Sequence, residues 1–353
     1  MSEVLNWLLF ILVLGILILI HEMGHFFTAR WFGIGVKEFA IGLPPRLFGK
    51  KHGDTVYAIN AIPVGGYVRL VGEDEAEANT PDSFQVKPPW QRFIVLFAGS
   101  ATHFILAFLI FFGLSLALGK SVVTDRILVQ EVADGGPAQV AGFRAGDEIL
   151  TVEGRQIDET EAFLEEVGGR AGTPVAVEIR REGATDITQL TVIPRQNPPA
   201  GEGPMGVVIT PDVEQQSVTL IEAVQAGFET EVYVVQATFS AVGELVSSIF
   251  TQARVPDTVS GPLGIQQELG RARESMGFVG ILFLSGLLAA NLAVFNLLPF
   301  PALDGGRIVP VIFEWITRKR IPPEKESLVH TVGFFLLLLL IVFVTAQDIQ
   351  RFF

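Results

Sequence analysis

The chain has 353 residues, of which 49% are hydrophobic and only 18% are charged, yet its formal net charge is −13. This composition is too apolar for an ordinary soluble chain and indicates a membrane protein, while the acidity excludes a nucleic-acid binder, which needs a basic face. There is no cysteine, so disulfides, thiolate zinc sites and cysteine nucleophiles are excluded. The whole charge imbalance lies in residues 119–275, which hold 24 acidic and 11 basic side chains. That segment is therefore expected to be a separate soluble domain.

Four long apolar runs predict four transmembrane helices. At a rise of about 1.5 Å per residue, each can cross a hydrocarbon core of about 30 Å. The first run could also be a signal peptide, but only Glu3 precedes it and no small-residue cleavage site follows. The four runs are residues 4–20, 93–118, 276–303 and 328–347.

The charges of the connecting segments predict the orientation. Segments 30–92 and 304–327 hold eight and five Lys/Arg residues, and both should face the cytoplasm under the positive-inside rule. The acidic segment and both termini would then lie outside. A fifth stretch, 232–250, is fairly apolar but contains Glu244, and a span there would move the five-base segment outside. We interpret it and the preceding 218–228 as amphipathic helices on the membrane or the protein surface.

The first span ends in His21-Glu22-Met23-Gly24-His25. Positions i and i+4 share one face of a helix, so the two imidazoles can bind the same metal ion. Glu22 would then lie beside the metal, where it can accept a proton from a bound water. The alternative is two interfacial histidines and a capping glutamate, but an ionisable side chain at the end of an apolar span is costly unless it has a function.

Zinc in a catalytic site needs a third protein ligand, and without cysteine the candidates are the other His, Asp and Glu residues. His103 lies within the second span, and His330 begins the last one. Asp304 is the better candidate, because the predicted topology brings it to the same side of the membrane and to a similar depth as the two histidines of the first span.

Two other segments carry recognisable patterns. Residues 55–71 alternate polar and apolar side chains around Pro63, Gly65 and Gly66, which is typical of a β-hairpin or looped strand. A loop that covers the cytoplasmic surface remains an alternative.

Residues 125–195 predict a small mixed domain. Within it, a Pro-Ala-x-x-Ala-Gly run followed by Gly-Asp-x-Ile-Leu resembles a PDZ domain of the bacterial protease type. Such a fold can add a peptide strand to a sheet edge, but these residues mostly form the fold and leave peptide binding open.

The His-Glu-x-x-His motif, together with Asn-x-x-Pro-x-Pro-x-Leu-Asp-Gly in the third span, resembles the site-2 proteases, which are zinc intramembrane proteases. The four-span layout with an exported domain between the second and third spans is similar to the bacterial RseP group. The resemblance implies that His21, His25 and Asp304 bind one zinc ion per chain and that Glu22 is the catalytic base. It also implies that Asn296 contacts the substrate near the metal.

The resemblance further implies that a membrane-dipping β-element, here Gly65, Gly66 and Tyr67, pairs with the substrate. A helical substrate hides its scissile carbonyl in hydrogen bonds, so it must be unwound, and a strand edge offers replacement hydrogen bonds. The expected substrates are transmembrane segments of single-span proteins that have first been cut outside the membrane, of the anti-sigma-factor or signal-peptide-remnant type. Many relatives carry two PDZ-like domains, whereas only one is recognisable here.

Two other functions remain to be weighed. One is a catalytically inactive membrane scaffold that presents its PDZ-like domain to exported peptides, which the completeness of both motifs disfavours. The other is a zinc-dependent transporter, which the single outward domain and the scarcity of intramembrane acids disfavour.

The overall prediction is a polytopic α-helical membrane protein with four transmembrane helices, an inserted α/β PDZ-like domain and a membrane-associated cytoplasmic β-hairpin region. It would lie in the bacterial cytoplasmic (inner) membrane, with both termini and the PDZ-like domain outside and the zinc site toward the cytoplasm. Its partners would be the bilayer, transmembrane substrates and a peptide ligand of the PDZ-like domain, and no nucleic acid. The expected segments are 1–29 (first span), 30–92 (cytoplasmic loop with the hairpin), 93–118 (second span), 119–200 (PDZ-like domain), 201–275 (extracytoplasmic amphipathic helices), 276–303 (third span), 304–327 (cytoplasmic loop) and 328–347 (fourth span).

Overall fold

The structure, a computed structural model, describes residues 2–72, 79–181, 183–199, 202–252, 256 and 259–352. It divides into a helical unit, Met1–Ala117 with Thr219–Phe353, and a β unit, Leu118–Val218. The predicted boundary between residues 200 and 201 falls outside the described residues. The helical unit contains α1 (Ser2–Trp31), β1 (Val36–His52), β2 (Thr55–Leu70), α2 (Pro89–Leu118), and, after the β unit, α5 (Leu220–Gln252), α6 (Pro262–Leu297), α7 (Asp304–Thr317) and α8 (Pro323–Phe352).

Helices α1 and α2 form the antiparallel centre of the helical unit. Thr102 Oγ1 donates to the Ile20 carbonyl at 3.1 Å, and His103 Nε2 donates to the Leu17 carbonyl at 2.9 Å. Gly24 permits this close approach, because a methyl group there would collide with the α2 backbone at Ala98. The helices therefore cross with little space between their backbones at the level of the His-Glu-x-x-His motif.

Five helices in the described part of the chain are long and apolar enough to cross a membrane, one more than the four predicted spans. The additional helix is α5, which the sequence divides into 218–228 and 232–250 at its glutamates. It is one continuous helix, because no proline interrupts it and Glu229 and Glu231 are tolerated within it. The five qualifying stretches are Glu3–Trp31, Pro89–Leu118, Leu220–Ile249, Pro262–Leu297 and Lys325–Arg351.

Helix α5 packs against the bundle rather than standing apart from it. A methyl group on Gly227 would lie 2.8 Å from the Phe112 backbone nitrogen of α2. Farther along α5, Thr238 Oγ1 donates to Asn291 Oδ1 of α6 at 2.6 Å. The helix thus contacts both α2 and α6.

Helix α6 bends sharply at Gly277, whose φ of 59° and ψ of −134° are backbone angles that glycine adopts readily.

The N-terminus of α6, before this bend, begins at a Ser-Gly-Pro-Leu-Gly turn and is capped by the buried Asp348 of α8. The Asp348 carboxylate accepts the Gly261 N–H at 3.3 Å and the Gly264 N–H at 2.9 Å. An acidic side chain at a helix N-terminus satisfies its free amides, so this contact fastens the far end of α8 to α6.

The sheet of the helical unit is more elaborate than the predicted hairpin. Ala40 in the first half of β1 lies opposite both Ala58 and Tyr67 of β2, so this half is paired on both sides. Among the residues that the structure describes, the second half of β1 pairs only with the first half of β2, for example Phe48 with Ile59. The two bent strands therefore form four strand segments, in which the end of β2 is an outer segment.

The β unit is an antiparallel sheet with two short helices. Its strand order is β7-β6-β4-β3-β8, with β5 paired to β4, and its apolar side chains form one core that includes Phe163 and Met205. The unit extends beyond the predicted 119–200 segment, because β8 pairs along β3 as the outermost strand of the sheet. Its elements are β3 (Lys120–Val132), α3 (Pro137–Ala141), β4 (Glu148–Val152), β5 (Arg155–Gln156), α4 (Thr160–Gly168), β6 (Val175–Arg180), β7 (Ile187–Val192) and β8 (Val207–Gln216).

Candidate metal centre

Three potential metal ligands converge where α1, α2 and α7 meet. His21 and His25 are one turn apart on α1, and Asp304 is the first residue of α7. The His21 Nε2 and His25 Nε2 atoms are 3.1 Å apart, and Asp304 Oδ2 lies 3.0 and 3.2 Å from them. Among the described residues, this is the one group of three or more His, Asp or Glu side chains with ligand atoms close enough to share an ion.

The geometry of these atoms fits a bound zinc ion. Ligands at about 2.0–2.1 Å from a tetrahedral zinc are about 3.3 Å from one another, close to the observed separations. Both histidines are buried, and Asp304 Oδ2 has no hydrogen-bond partner within the described chain. Three buried atoms that can all act as electron-pair donors approach this closely only if a cation or protons hold them together, and two imidazoles with one carboxylate form a known zinc donor set.

Helix α2 sets the positions of the two imidazoles without contributing a ligand. The His25 Nδ1–H donates to the Val95 carbonyl at 2.8 Å, which directs Nε2 toward Asp304. Gly99 lies directly against both rings: a methyl group there would be 2.5 Å from His21 Cε1 and His25 Nε2. The rings therefore occupy space that only a glycine on α2 leaves open.

The predicted base lines the same cavity as the three ligands. Glu22 adjoins a cavity of about 150 Å³ that is bordered on one side by β2, including Tyr67 and Val68. Gly66 packs on the same glutamate, because a methyl group there would lie 3.3 Å from Glu22 Cγ. The lining residues are His21, Glu22, His25, Tyr67, Val68, Leu70, Val95, Leu96, Asp304 and Arg307.

The other predicted site residues lie in α6 and β2. Asn296 is in the last turn of α6, and Gly65 adopts a left-handed conformation (φ 94°) in β2; neither lines the cavity. The two alternative third ligands do not join the group. His103 Nε2 is engaged by the Leu17 carbonyl, and His330 Nδ1 accepts the Ala302 N–H at 3.0 Å.

The structure also identifies supporting residues that the sequence did not. Arg307, one turn after Asp304, lines the cavity. Arg92, buried at the start of α2, forms an ion pair with Glu314 of α7, and Arg320 also binds Glu314. This pair joins α7 to the turn of α2 that holds His25. No sequence pattern marks it, because the partners are more than 200 residues apart.

We expect Glu314→Gln to lower the free energy of unfolding at pH 7 by about 1–3 kcal/mol, since it weakens hydrogen bonds between charged groups. Burial would raise the pKa of Glu314, but hydrogen bonds from Arg92 and Arg320 hold its pKa below the usual value. Its contribution to stability is therefore complete above the pKa of an unfolded glutamate and is lost as the pH falls through the lowered folded pKa.

Thermal unfolding of the detergent-solubilised protein as a function of pH tests this expectation. The difference in unfolding midpoint between wild type and Glu314→Gln should become smaller at acidic pH. Glu229→Gln, at an exposed acid with no ion pair among the described residues, is the control and should match wild type. An unchanged midpoint for Glu314→Gln at pH 7 would mean that the pair contributes nothing.

Comparisons with known proteins identify a peptidase family and several zinc metalloproteases as relatives of this chain. A family model described as Peptidase family M50 matches residues 9–340. A Clostridium perfringens protein, provisionally named a zinc metalloprotease, is 38% identical over 339 residues, covering 96% of this chain and 97% of that protein. The zinc metalloprotease RasP of Shouchella clausii is 29% identical over 430 residues, covering 98% and 99%. A provisionally named zinc metalloprotease of Staphylococcus aureus is 28% identical over 437 residues and covers both chains completely.

Proposed function

Because the chain belongs to peptidase family M50, the site-2 proteases, and is a zinc metalloprotease of a bacterial membrane, we propose that it cleaves transmembrane segments at the centre formed by His21, His25 and Asp304. These three side chains would hold one zinc ion per chain. The observation that carries the proposal is the convergence of three ligand atoms within 4.8 Å of one another, in a cavity also lined by Glu22.

The chain's own residues have separable roles in hydrolysis. Bound zinc would supply Lewis acidity, polarising the scissile carbonyl and lowering the pKa of water toward about 7. Glu22 would accept a proton from the attacking water and return it to the leaving amine. Leu70 and Leu96 contribute apolar walls to the cavity beside these polar groups.

The outer end of β2 is suited to present the substrate. Among the described residues, Gly66, Tyr67 and Val68 lie in a segment whose only paired neighbour is the first half of β1, and the segment borders the cavity. We propose that an unwound substrate adds as a strand along Gly65, Gly66 and Tyr67, replacing the hydrogen bonds of its helix. We propose that Asn296, in the last turn of α6, contacts the substrate near the zinc.

The proposed orientation places the zinc site toward the cytoplasm and the β unit outside. The eight- and five-base segments support it through the positive-inside rule. Helix α5 is compatible with it, because Gly227 lies beside Phe112 near the outer end of α2, and Gly270, beyond α5, contacts Asn6 near the same end of α1. Because Gly227 and Gly270 both lie at this end of the bundle, the chain between them makes no net crossing. Helix α5 therefore need not reverse the later spans, which supports four full crossings.

The proposed substrates are single-span proteins already shortened outside the membrane, of the anti-sigma-factor or signal-peptide-remnant type. The β unit, whose Pro-Ala-x-x-Ala-Gly run forms the short α3, would act as a PDZ-like domain outside the membrane and could bind a peptide at a sheet edge. A catalytically inactive scaffold is the competing function, and intact ligands with an adjoining Glu22 argue against it.

Zinc removal tests the proposal directly. Purified protein in detergent should contain about one zinc per chain and cleave a single-span test helix tagged at both ends. Chelation should stop cleavage, and one equivalent of zinc, but not magnesium, should restore it. A scaffold would cleave in none of these states. Zinc-loaded protein that leaves every tested helix intact would contradict the proposed function.

A further inference from the structure

Three buried polar atoms in and around His21 have no role in the proposed site of three ligands and one base. His21 Nδ1, His103 Nδ1 and Ser100 Oγ each have no hydrogen-bond partner in the described part of the chain. His103 is 1% exposed and Ser100 is fully buried. Buried polar atoms in folded proteins almost always have a partner, so these three require an explanation.

The two proposed histidine ligands differ in their support. His25 donates from Nδ1 to the Val95 carbonyl, whereas His21 has no comparable acceptor among the described residues. A histidine that binds a metal through Nε2 carries its proton on Nδ1 and almost always donates it to an outer partner. If His21 Nε2, which lies 3.0 Å from Asp304 Oδ2, binds the proposed zinc, the His21 proton is on Nδ1.

His103 is poised to be that outer partner. Its ring centroid lies 5.0 Å from that of His21. Because the Leu17 carbonyl can only accept, the His103 Nε2 that contacts it at 2.9 Å must carry the hydrogen. In a neutral ring, His103 Nδ1 is then an acceptor.

Ser100 completes a site for one water molecule. It precedes His103 by three residues on α2, so the two side chains are neighbours on the helix. The adjoining Gly99 lies against the His21 ring. A buried water needs two to four polar partners, and these three atoms provide one donor, one acceptor and one hydroxyl.

We propose that His103 is a positioning residue for the zinc site, receiving the His21 Nδ1–H hydrogen bond through one buried water that Ser100 also binds. This inference rests on the proposed zinc site. Helix α2 would thereby orient both imidazoles: His25 through the Val95 carbonyl and His21 through His103. His103 would not touch the zinc or the substrate.

Zinc affinity, measured by chelator competition on the purified full-length protein, tests the proposal. His103→Phe keeps a ring in the space but cannot accept the hydrogen bond, and it should weaken zinc binding about 10- to 100-fold. Ser100→Ala should weaken it several-fold. Because both remove the same water, the double variant should bind zinc no worse than His103→Phe. In the cobalt-substituted protein, His103→Phe should shift the visible d–d bands.

The matched control is Thr238→Val, which removes a buried hydrogen bond to Asn291 elsewhere in the bundle. It should leave zinc affinity and the cobalt spectrum unchanged, whatever its thermal stability. Wild-type affinity and spectrum in folded His103→Phe would overturn the inference while leaving the zinc site intact. If His103→Phe does not fold, Ser100→Ala decides: wild-type affinity there overturns the inference. Wild-type protein that binds no zinc would overturn both this inference and the proposed function.

Discussion

The Glu22→Gln protein should retain about one zinc per chain and lose about 10²- to 10⁴-fold in cleavage rate, the range expected for removal of a general base. The amide has nearly the shape of the carboxylate, so packing against Gly66 should be preserved. It cannot accept the proton from water, however, and His21 and His25 would be committed to the metal. The rate of cutting a tagged single-span helix and the metal content of the same preparation are the two measurements.

Two further variants separate a chemical role for Glu22 from a structural one. Glu22→Asp keeps the base but withdraws it by one methylene, so it should retain part of the activity. Glu3→Gln changes an exposed acid on the same helix and should cleave at the wild-type rate. Undiminished cleavage by Glu22→Gln would place the base elsewhere, whereas loss of zinc from that variant would show that Glu22 supports the metal site instead.

The sequence gives a geometric reason to expect His21, His25 and Asp304 to lie close together. His21 and His25 are four residues apart, about one helical turn, so they share a helix face whatever the tertiary structure around the helix. Asp304 lies far away in the chain, but loop charges and span count bring it to the same end of the bundle. The structure brings all three together, with ligand atoms 3.0–3.2 Å apart.

The support around that site could not be predicted, because it consists of contacts that leave no sequence pattern. The Val95 acceptor is a backbone carbonyl, which every residue possesses, and the Arg92–Glu314 pair joins segments whose alignment depends on tertiary packing. The polar strand β8 (Val207–Gln216), which contains Pro211, also lacks a clear alternation of buried residues, so its pairing with β3 was missed.

Gly99→Ala should abolish the zinc site although it changes no ligand. The added methyl group would lie 2.5 Å from both His21 Cε1 and His25 Nε2, a distance that carbon atoms in folded proteins do not tolerate. Either the two rings rotate away from Asp304 or α2 moves away from α1, and both movements separate the ligand atoms. We expect zinc affinity to fall by more than about 100-fold, beyond the usual effect of changing a residue around a metal site, together with a comparable loss of cleavage.

Gly113→Ala on the same helix is the matched control, because a methyl group there meets nothing within 4 Å. Alanine is favoured over glycine in a helix by about 1 kcal/mol, so this variant should be at least as stable as wild type and keep its zinc. If Gly99→Ala binds zinc like Gly113→Ala, then α2 does not lie against the two imidazoles. If only Gly99→Ala loses zinc, the ring positions depend on the space left by one missing side chain, and α2 is part of the metal centre without supplying a ligand.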